Sequence, residues 1–553
     1  MAFFSLHAYD ADVWIPEFKG IDQSDVNLNP DLRYAAEALN VETPNGVLQP
    51  MAYHDEAERG SVFPEDATGD IETLVLFTRR WYAGAGSNQW YICARGGKFY
   101  EKQAGTSQPW GEITLPGAFP DGFANNKWSW VTYEINPEPA PGEDPVTLDV
   151  LLISNADDGM IMIIPPDRPT TWGDIKEQNW SYYTGFNWED LISQNWTMQT
   201  VDCRGKKFGS IERFNDRVFG TAINDEPDKV YYSAVYKATD WREYTPNPNP
   251  LDPYQTEGQP EEGSGDNSLP TWDGDRFYGL KRFGDQLLIF KQNHIWTILN
   301  TNPGEYIFKE QFGEGTKYMR TAVVHEERVL MMTDKGIAVY DGMNTTMIVK
   351  DQIKGIWKYA DTAKFDGMCA EVIDDKYYVS FPNKTTHTNE TLVYDLKTGT
   401  ILYYDVGATC FVKTLDRLIY AEHDSQILRV INNDSWNIGK AYMGNKKKWV
   451  SPWIDFGYKR IQKGGFDLYF IPEVKDNEVT LDISIQTEKK TKTKSYTIQP
   501  LTDEQRAAQR EHRGKRLHFG GTGRKFRIVI ETLSSYPWRL IGGIQLVVET
   551  DPD

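Results

Sequence analysis

Residues 217–241 read RVFGTAINDEPDKVYYSAVYKATDW. Two apolar-aromatic runs, RVFGTA and KVYYSA, flank the acidic stretch Asn224-Asp225-Glu226-Pro227-Asp228, and Asp240-Trp241 closes the segment. Apolar runs on either side of a polar, Pro-containing turn mark an antiparallel hairpin. Residues 217–222 and 229–234 are therefore expected to pair, with Asp225, Glu226 and Asp228 at the turn. General acid–base chemistry needs carboxylates held in a shielded pocket, so these acids read as charged surface.

The same form recurs on both sides of this stretch. Short apolar strands joined by polar turns of two to four residues return with a period of about 40–50 residues. WSWVTYEI and VTLDVLLISNADDGMIMII precede the quoted segment, the latter turning at Asp157-Asp158-Gly159. RFYGLKRFGDQLLIFKQNHIWTIL, TAVVHEERVLMMTDKGIAVYDG and MCAEVIDDKYYVSFP follow it. One small sheet cannot bury both of its faces, and packing such sheets around an axis supplies the missing burial. The pattern predicts an all-β protein built on a β-propeller of about five to seven blades.

Composition agrees with that class. A chain of 553 residues is too long for one small core. Its 18 Trp and 30 Tyr favour strands and aromatic-rich contacts. No apolar run approaches the about 20 residues of a membrane span, so no membrane insertion is expected. The opening MAFFSLHAYDADVW lacks the basic start and long apolar run of a signal peptide. Cys93, Cys203, Cys369 and Cys410 have no C-x-x-C spacing and read as buried free thiols.

Charge divides the chain. The net charge is −21, yet residues 440–553 carry 21 Lys+Arg against 14 Asp+Glu, leaving 38 against 66 in residues 1–439. Segments this different in charge face different neighbours. In the basic part, alternation at Val479, Leu481, Ile483 and Ile485 and at Phe526, Ile528 and Ile530 predicts half-buried antiparallel strands of a β-sandwich. The expected organisation is an N-terminal arm leading into the propeller (1–65), the propeller (66–445) and a C-terminal β-sandwich (446–553). Helices are expected at 31–40 and 502–514. Insertions are expected at 166–200, with Trp172, Trp180, Trp188 and Trp196, and at 245–272, a Pro/Gly/acidic loop without regular structure.

No catalytic constellation, cofactor motif or metal site is expected. Asp374-Asp375, like Asp157-Asp158, sits where a hairpin turn favours Asp. TDKGIAVY (333–340) approaches the Asp-box turn of sialidase propellers without its full pattern. His512 and His518 are poorly spaced for zinc. The chain lacks G-x-S-x-G, P-loop and dinucleotide-binding signatures. The binding signal is a basic face made of Lys489, Lys490, Lys492, Lys494, Arg506, Arg510, Arg513, Lys515, Arg516, Arg524, Lys525 and Arg527. Such a face suits an acidic protein partner or DNA, and it also suits a solvated strand edge kept from aggregating by lysines.

The order of segments resembles the tail-hub, or nozzle, β-propellers of short-tailed bacteriophages, also called packaged-DNA stabilisation proteins. The resemblance is carried by AEALNVETPNGVLQP (36–50), VLLISNADDGMIMI (150–163), ERFNDRVFGTAINDEPDKVYYSAVYKATDW (212–241), DRFYGLKRFGDQLLIFKQNHIWTI (275–298), VLMMTDKGIAVYDG (329–342) and SPWIDFGYKRIQK (451–463). It implies a virion protein of the phage tail, made in the host cytoplasm. Its copies would form a homo-oligomeric ring, a hexamer, below the portal and adaptor rings. The ring would extend the DNA channel, retain packaged genomic DNA without sequence-specific binding, and dock tail fibres or spikes. Acidic propeller surfaces lining that channel would repel phosphates. The alternative from another class is a glycan-binding or glycan-hydrolysing propeller.

Overall fold

Two residues of left-handed backbone start the quoted hairpin. Asn215 (φ 46°) and Asp216 (φ 57°) form a tight turn of the kind that matches strand twist and suits Asn and Asp. Ser210–Phe214 and Arg217–Thr221 pair through it, with Phe214 opposite Arg217. Arg217–Thr221 then pairs with Lys229–Tyr232 across the acidic stretch. A fourth strand, Gly265–Ser268, lies outside Lys229–Tyr232. This last strand falls in the segment expected to lack regular structure. Its backbone pairing overrides the Gly-rich composition, because the blade would otherwise expose the edge of Lys229–Tyr232.

In the computed structural model the described residues are 10–550 apart from 25–30, 58–61, 80–87, 136–147, 167–194, 243–262, 270–273, 303–304, 424, 426, 433–440, 442–445, 456–462, 501–513, 522 and 524. Among them, seven sheets follow one another as successive antiparallel meanders, over 73–112, 129–201, 210–268, 279–312, 323–349, 369–404 and 408–430. The first strand of each lines a common axis. They are Thr73–Thr78, Ser129–Ile135, Ser210–Phe214, Gly279–Phe283, Val323–His325, Cys369–Ile373 and Ala408–Lys413. The fold is a β-propeller, and these sheets are blades 1 to 7.

Blade 7 has only three strands of its own. The N-terminal segment supplies the missing outer pairing: Ala57 N donates to Leu428 O (2.7 Å), Val430 N donates to Asp55 O (2.8 Å), and Glu56 bridges Arg429. Blade 7 in turn meets blade 1, where Thr409 Oγ1 donates to Ile71 O at 2.6 Å. The ring is thus closed by residues far apart in the chain.

The C-terminal region is a two-sheet sandwich. One sheet has the order Asp10–Ile15, Trp538–Thr550, Lys463–Val474, Lys515–Gly520. The other runs Glu37–Leu39, Lys447–Val450, Lys525–Thr532, Val479–Thr487, Thr491–Ile498. The N-terminal arm therefore contributes one edge strand to each sheet. The expected helix over 31–40 is absent: a turn precedes Glu37–Leu39, whose Ala38 is buried opposite Trp449. Tertiary pairing overrides a weak local helix preference there. The candidate helix near 502–514 lies outside the described residues apart from Gly514, as do Trp172, Trp180 and Trp188. Trp196 is core, 5.9 Å from the Phe77 ring and 6.1 Å from the Trp90 ring.

One continuous apolar core joins sandwich, arm and propeller. Phe18 and Ile21 of the arm pack with Trp449 and Ile530 of the sandwich and with Met332, Tyr377 and Ile401 of blades 5 and 6. Gly20 is required where the arm crosses blade 6, since a Cβ there would lie 2.2 Å from Ile401 O. The sandwich is consequently fixed to the outer side of blade 6. All four cysteines are buried and unpaired, and burial pushes the Cys369 and Cys410 thiols up to about 11 and about 12.

Candidate functional site

Among the described residues, polar side chains gather at the propeller axis, at the acidic turns of blades 2 and 3, along one edge of the sandwich and around Asp375. The axis holds a cavity of 1370 Å³ lined by the first strands of all seven blades. Cross-links span it on the side where those strands begin. Lys127, leading into blade 2, pairs with Asp366, leading into blade 6, at 2.7 Å. Arg320, leading into blade 5, donates to Glu72 O of blade 1 (2.5 Å) and Thr409 O of blade 7 (2.8 Å).

Deeper along the axis, Glu212, Lys281 and Glu371 occupy the same position, the third residue of their inner strands. Burial raises both carboxyl groups above the usual range, opposed for each by the Lys281 charge. Each carboxylate also accepts a backbone hydrogen bond, from Arg213 N at 3.2 Å and Val372 N at 3.0 Å. Trp130, Val324 and Leu415 line the same cavity and are 41%, 39% and 101% exposed. The charged trio went unread in the sequence. Its signal is a charged residue directly after two buried ones in a blade's first strand.

The acidic turns are structural fasteners as well as surface. Asp158 accepts from Ala124 N (3.0 Å), Asn125 N (3.2 Å) and Asn155 Nδ2 (2.9 Å), tying the blade 1–2 connection to blade 2. Asp157 is exposed and accepts from Asn125 Nδ2 at 3.0 Å. Glu226 is bound by Tyr231 Oη (2.6 Å), Lys206 (3.1 Å) and Lys229 (3.1 Å). Partial burial pushes its carboxyl up, but these donors outweigh it and hold the pKa at about 2. Asp225 lies 3.4 Å from Lys206. Asp228 accepts Leu269 N through its backbone at 3.0 Å.

Eight of the twelve basic residues lie among the described residues, and these eight do not all share one face. Arg506, Arg510, Arg513 and Arg524 lie outside the described residues. Lys525 and Arg527 stand on Lys525–Thr532, two strands in from the sheet edge. Arg527 is engaged there by Gln486 Oε1 (2.6 Å) and by the Trp453 ring at 5.0 Å. The remaining residues do converge. Thr491–Ile498 and Lys515–Gly520 are the last strands of their sheets, and they lie side by side at the same edge of the sandwich. Tyr496 meets Phe470 edge-on at 5.4 Å, and the Lys494 ammonium sits 5.8 Å from the Phe519 ring.

Lys489 and Lys490 form the turn before this edge, Lys492 and Lys494 run along it, and Lys515 and Arg516 begin the neighbouring strand. All six are exposed. Arg516 and His518 hold Asp467 (2.5 and 3.0 Å), keeping that carboxyl below its usual range against the effect of its burial. Lys489, Lys490, Lys492, Lys494 and Lys515 make no ion pair among the described residues. His325, Glu326 and Asp375 also approach one another. However, Lys397 at 2.6 Å and His325 at 2.9 Å already occupy the two Asp375 oxygens.

Comparison with known proteins leaves the fold as the common ground. No protein-family model and no curated protein matches the chain. Among solved structures, a Neurospora crassa Pan2 WD40 domain is similar at 8% identity and TM-score 0.34, covering 69% of this chain and 98% of that one. An exo-beta-1,3-galactanase from Phanerochaete chrysosporium is similar at 7% identity and TM-score 0.23, covering 63% and 96%. The extracellular domain of a putative hybrid two component system from B. thetaiotaomicron is similar at 10% identity and TM-score 0.31, covering 85% and 72%. At this distance these likenesses bear on neither activity nor partner.

Proposed function

We propose that the chain is a structural protein of a bacteriophage tail whose copies form a ring. The ring extends the DNA channel, retains the packaged genome and carries fibres or spikes. The observation that carries this reading is the row of lysines that, among the described residues, make no ion pair along two edge strands, in a chain of net charge −21. A cationic docking edge on a strongly acidic molecule suits assembly with acidic neighbours. The sandwich, welded to blade 6 through one core, presents that edge on a rigid block.

DNA would pass between copies and not through a propeller. A duplex does not fit past an axis spanned by a 2.7 Å Lys127–Asp366 pair. The acidic surfaces of the ring would then face the duplex and keep phosphates from adhering. The test is genetic: particles assembled without this chain should lose packaged DNA, and particles that keep their genome and infect would overturn the reading.

A second reading, a glycan-binding or glycan-hydrolysing propeller, is favoured by one observation. Trp130, Glu212 and Glu371 share the axial cavity, and an aromatic platform beside raised carboxyl groups suits a sugar. Polysaccharide cleavage by the purified chain, abolished in Glu212→Gln or Glu371→Gln, would establish it. Cleavage unaffected by both changes would exclude this cavity as its seat.

A further inference from the structure

The basic edge and the acidic turns stand on opposite sides of the molecule. The sandwich is fixed to blade 6, and blades 2 and 3 each lie three steps from blade 6 in a ring of seven. Asp157 and Asp158 belong to blade 2, and Asp225, Glu226 and Asp228 to blade 3. Lys206 and Lys229 hold Glu226, and Lys206 also faces Asp225. The side chains of Asp157 and Asp228 make no ion pair among the described residues, although the Lys207 ammonium donates to the Asp157 backbone oxygen and the Lys229 charge acts on Asp228.

Both sides also end in an edge strand: among the described residues, Thr491–Ile498 pairs only with Val479–Thr487, and Gly265–Ser268 of blade 3 pairs only with Lys229–Tyr232. An edge strand presents a row of unpaired N–H and C=O groups, a template for pairing with another chain. Charged lysines discourage such pairing with a neutral or like-charged edge and favour it with an acidic one. Asp266, on the outer strand of blade 3, is held in place by Arg204 at 3.2 Å.

We propose that the Lys489–Lys494 edge of one copy docks on the acidic turns of blades 2 and 3 of the next copy, where Leu269 N, just past the outer strand of blade 3, meets Asp228 O. Lys492 and Lys494 meet Asp157 and Asp228, and the two edge strands align as neighbours in one intermolecular sheet. The contacting patches are different surfaces on opposite sides of the chain. The contact is heterologous: repeated head to tail it gives a ring when the rotation per copy closes and an open filament when it does not, and the ring reading requires the closed case. This inference rests on the ring reading and names the surfaces that build it.

The test is a charge exchange on the full-length chain, with oligomer size read by mass photometry and sedimentation at low and high salt. Lys492→Glu with Lys494→Glu should weaken association at least about tenfold, and Asp157→Lys with Asp228→Lys should do the same. The four changes together should restore it. High salt should weaken the wild-type assembly. Circular dichroism and melting temperature report whether each variant is folded; where Asp157→Lys disturbs the turn, Asp228→Lys alone is paired with Lys494→Glu. Rings that persist in Lys492→Glu with Lys494→Glu would overturn this contact and leave the ring reading standing. Loss without restoration would overturn the pairing with blades 2 and 3. A wild-type chain that stays monomeric at every concentration and salt would overturn the ring reading itself.

Discussion

Asn40 shows how much one residue can hold. Its backbone is left-handed (φ 53°) and its side chain is fully buried. Its Nδ2 donates to Lys446 O (3.1 Å), its Oδ1 accepts from Asp405 N (3.1 Å), and its backbone N donates to Tyr403 O (2.9 Å). Arm, blade 6 and sandwich thus meet on a single side chain. Asn40→Ala should cost about 2–4 kcal/mol, from two buried groups left unpaired and a strained φ. Denaturant titration checks this, and a loss below about 0.5 kcal/mol would contradict the keystone role.

A second residue gives a pH test. Burial raises the Glu101 carboxyl to about 7, against the nearby Arg79 and Lys102 charges. A raised carboxyl pKa means that the fold disfavours the ionised form. The penalty is therefore fully present above about pH 7 and disappears as pH falls towards the ordinary value of 4.5. Glu101→Gln should stabilise the protein at pH 8 by about 1–3 kcal/mol and should be neutral near pH 4.5. Thermal melts at the two pH values check the sign. An equal effect at both would remove the titration from the explanation.

At the scale of elements, the weak point is the seventh blade. Its outer edge is completed by a few backbone hydrogen bonds with residues 55–57. Ala57→Pro removes the donor to Leu428 O and should destabilise by about 1–3 kcal/mol. Hydrogen exchange should then rise first in Leu418–Glu422 and Leu428–Val430, and uniform exchange would contradict a local opening. Elements were legible in the sequence where turn chemistry was local. Asn215-Asp216 and Asp374-Asp375 both adopt the left-handed turns that their residue types favour. Elements whose partners lie far along the chain were not legible. Glu37–Leu39 looks helical alone and is a strand because Lys447–Val450 waits some 400 residues away. Gly265–Ser268 has a loop composition and is a strand because Lys229–Tyr232 needs an outer neighbour.

The candidate sites divide the same way. The lysine row on Thr491–Ile498 is visible as alternation in TKTKSYTI, but its meeting with Lys515 depends on how two sheets stack. The Glu212–Lys281–Glu371 rung was hidden because seven separate strands must be superposed before three charges share one level. Each charge leaves a mark in its own strand, directly after two apolar or small residues, but the meeting of the three has none.

At the scale of the whole molecule, the uneven charge becomes a direction. The basic edge is fixed to blade 6, the acidic turns lie across the propeller, and the axis between them is cross-linked. A rigid, polarised block of this kind suits a head-to-tail ring whose opening lies between copies. The most direct test is electron microscopy of the purified full-length chain, with copies counted in class averages. The account predicts closed rings around a central opening, with each sandwich against the propeller of its neighbour. Isolated monomers, or pairs related by a twofold axis through the sandwich edge, would contradict it.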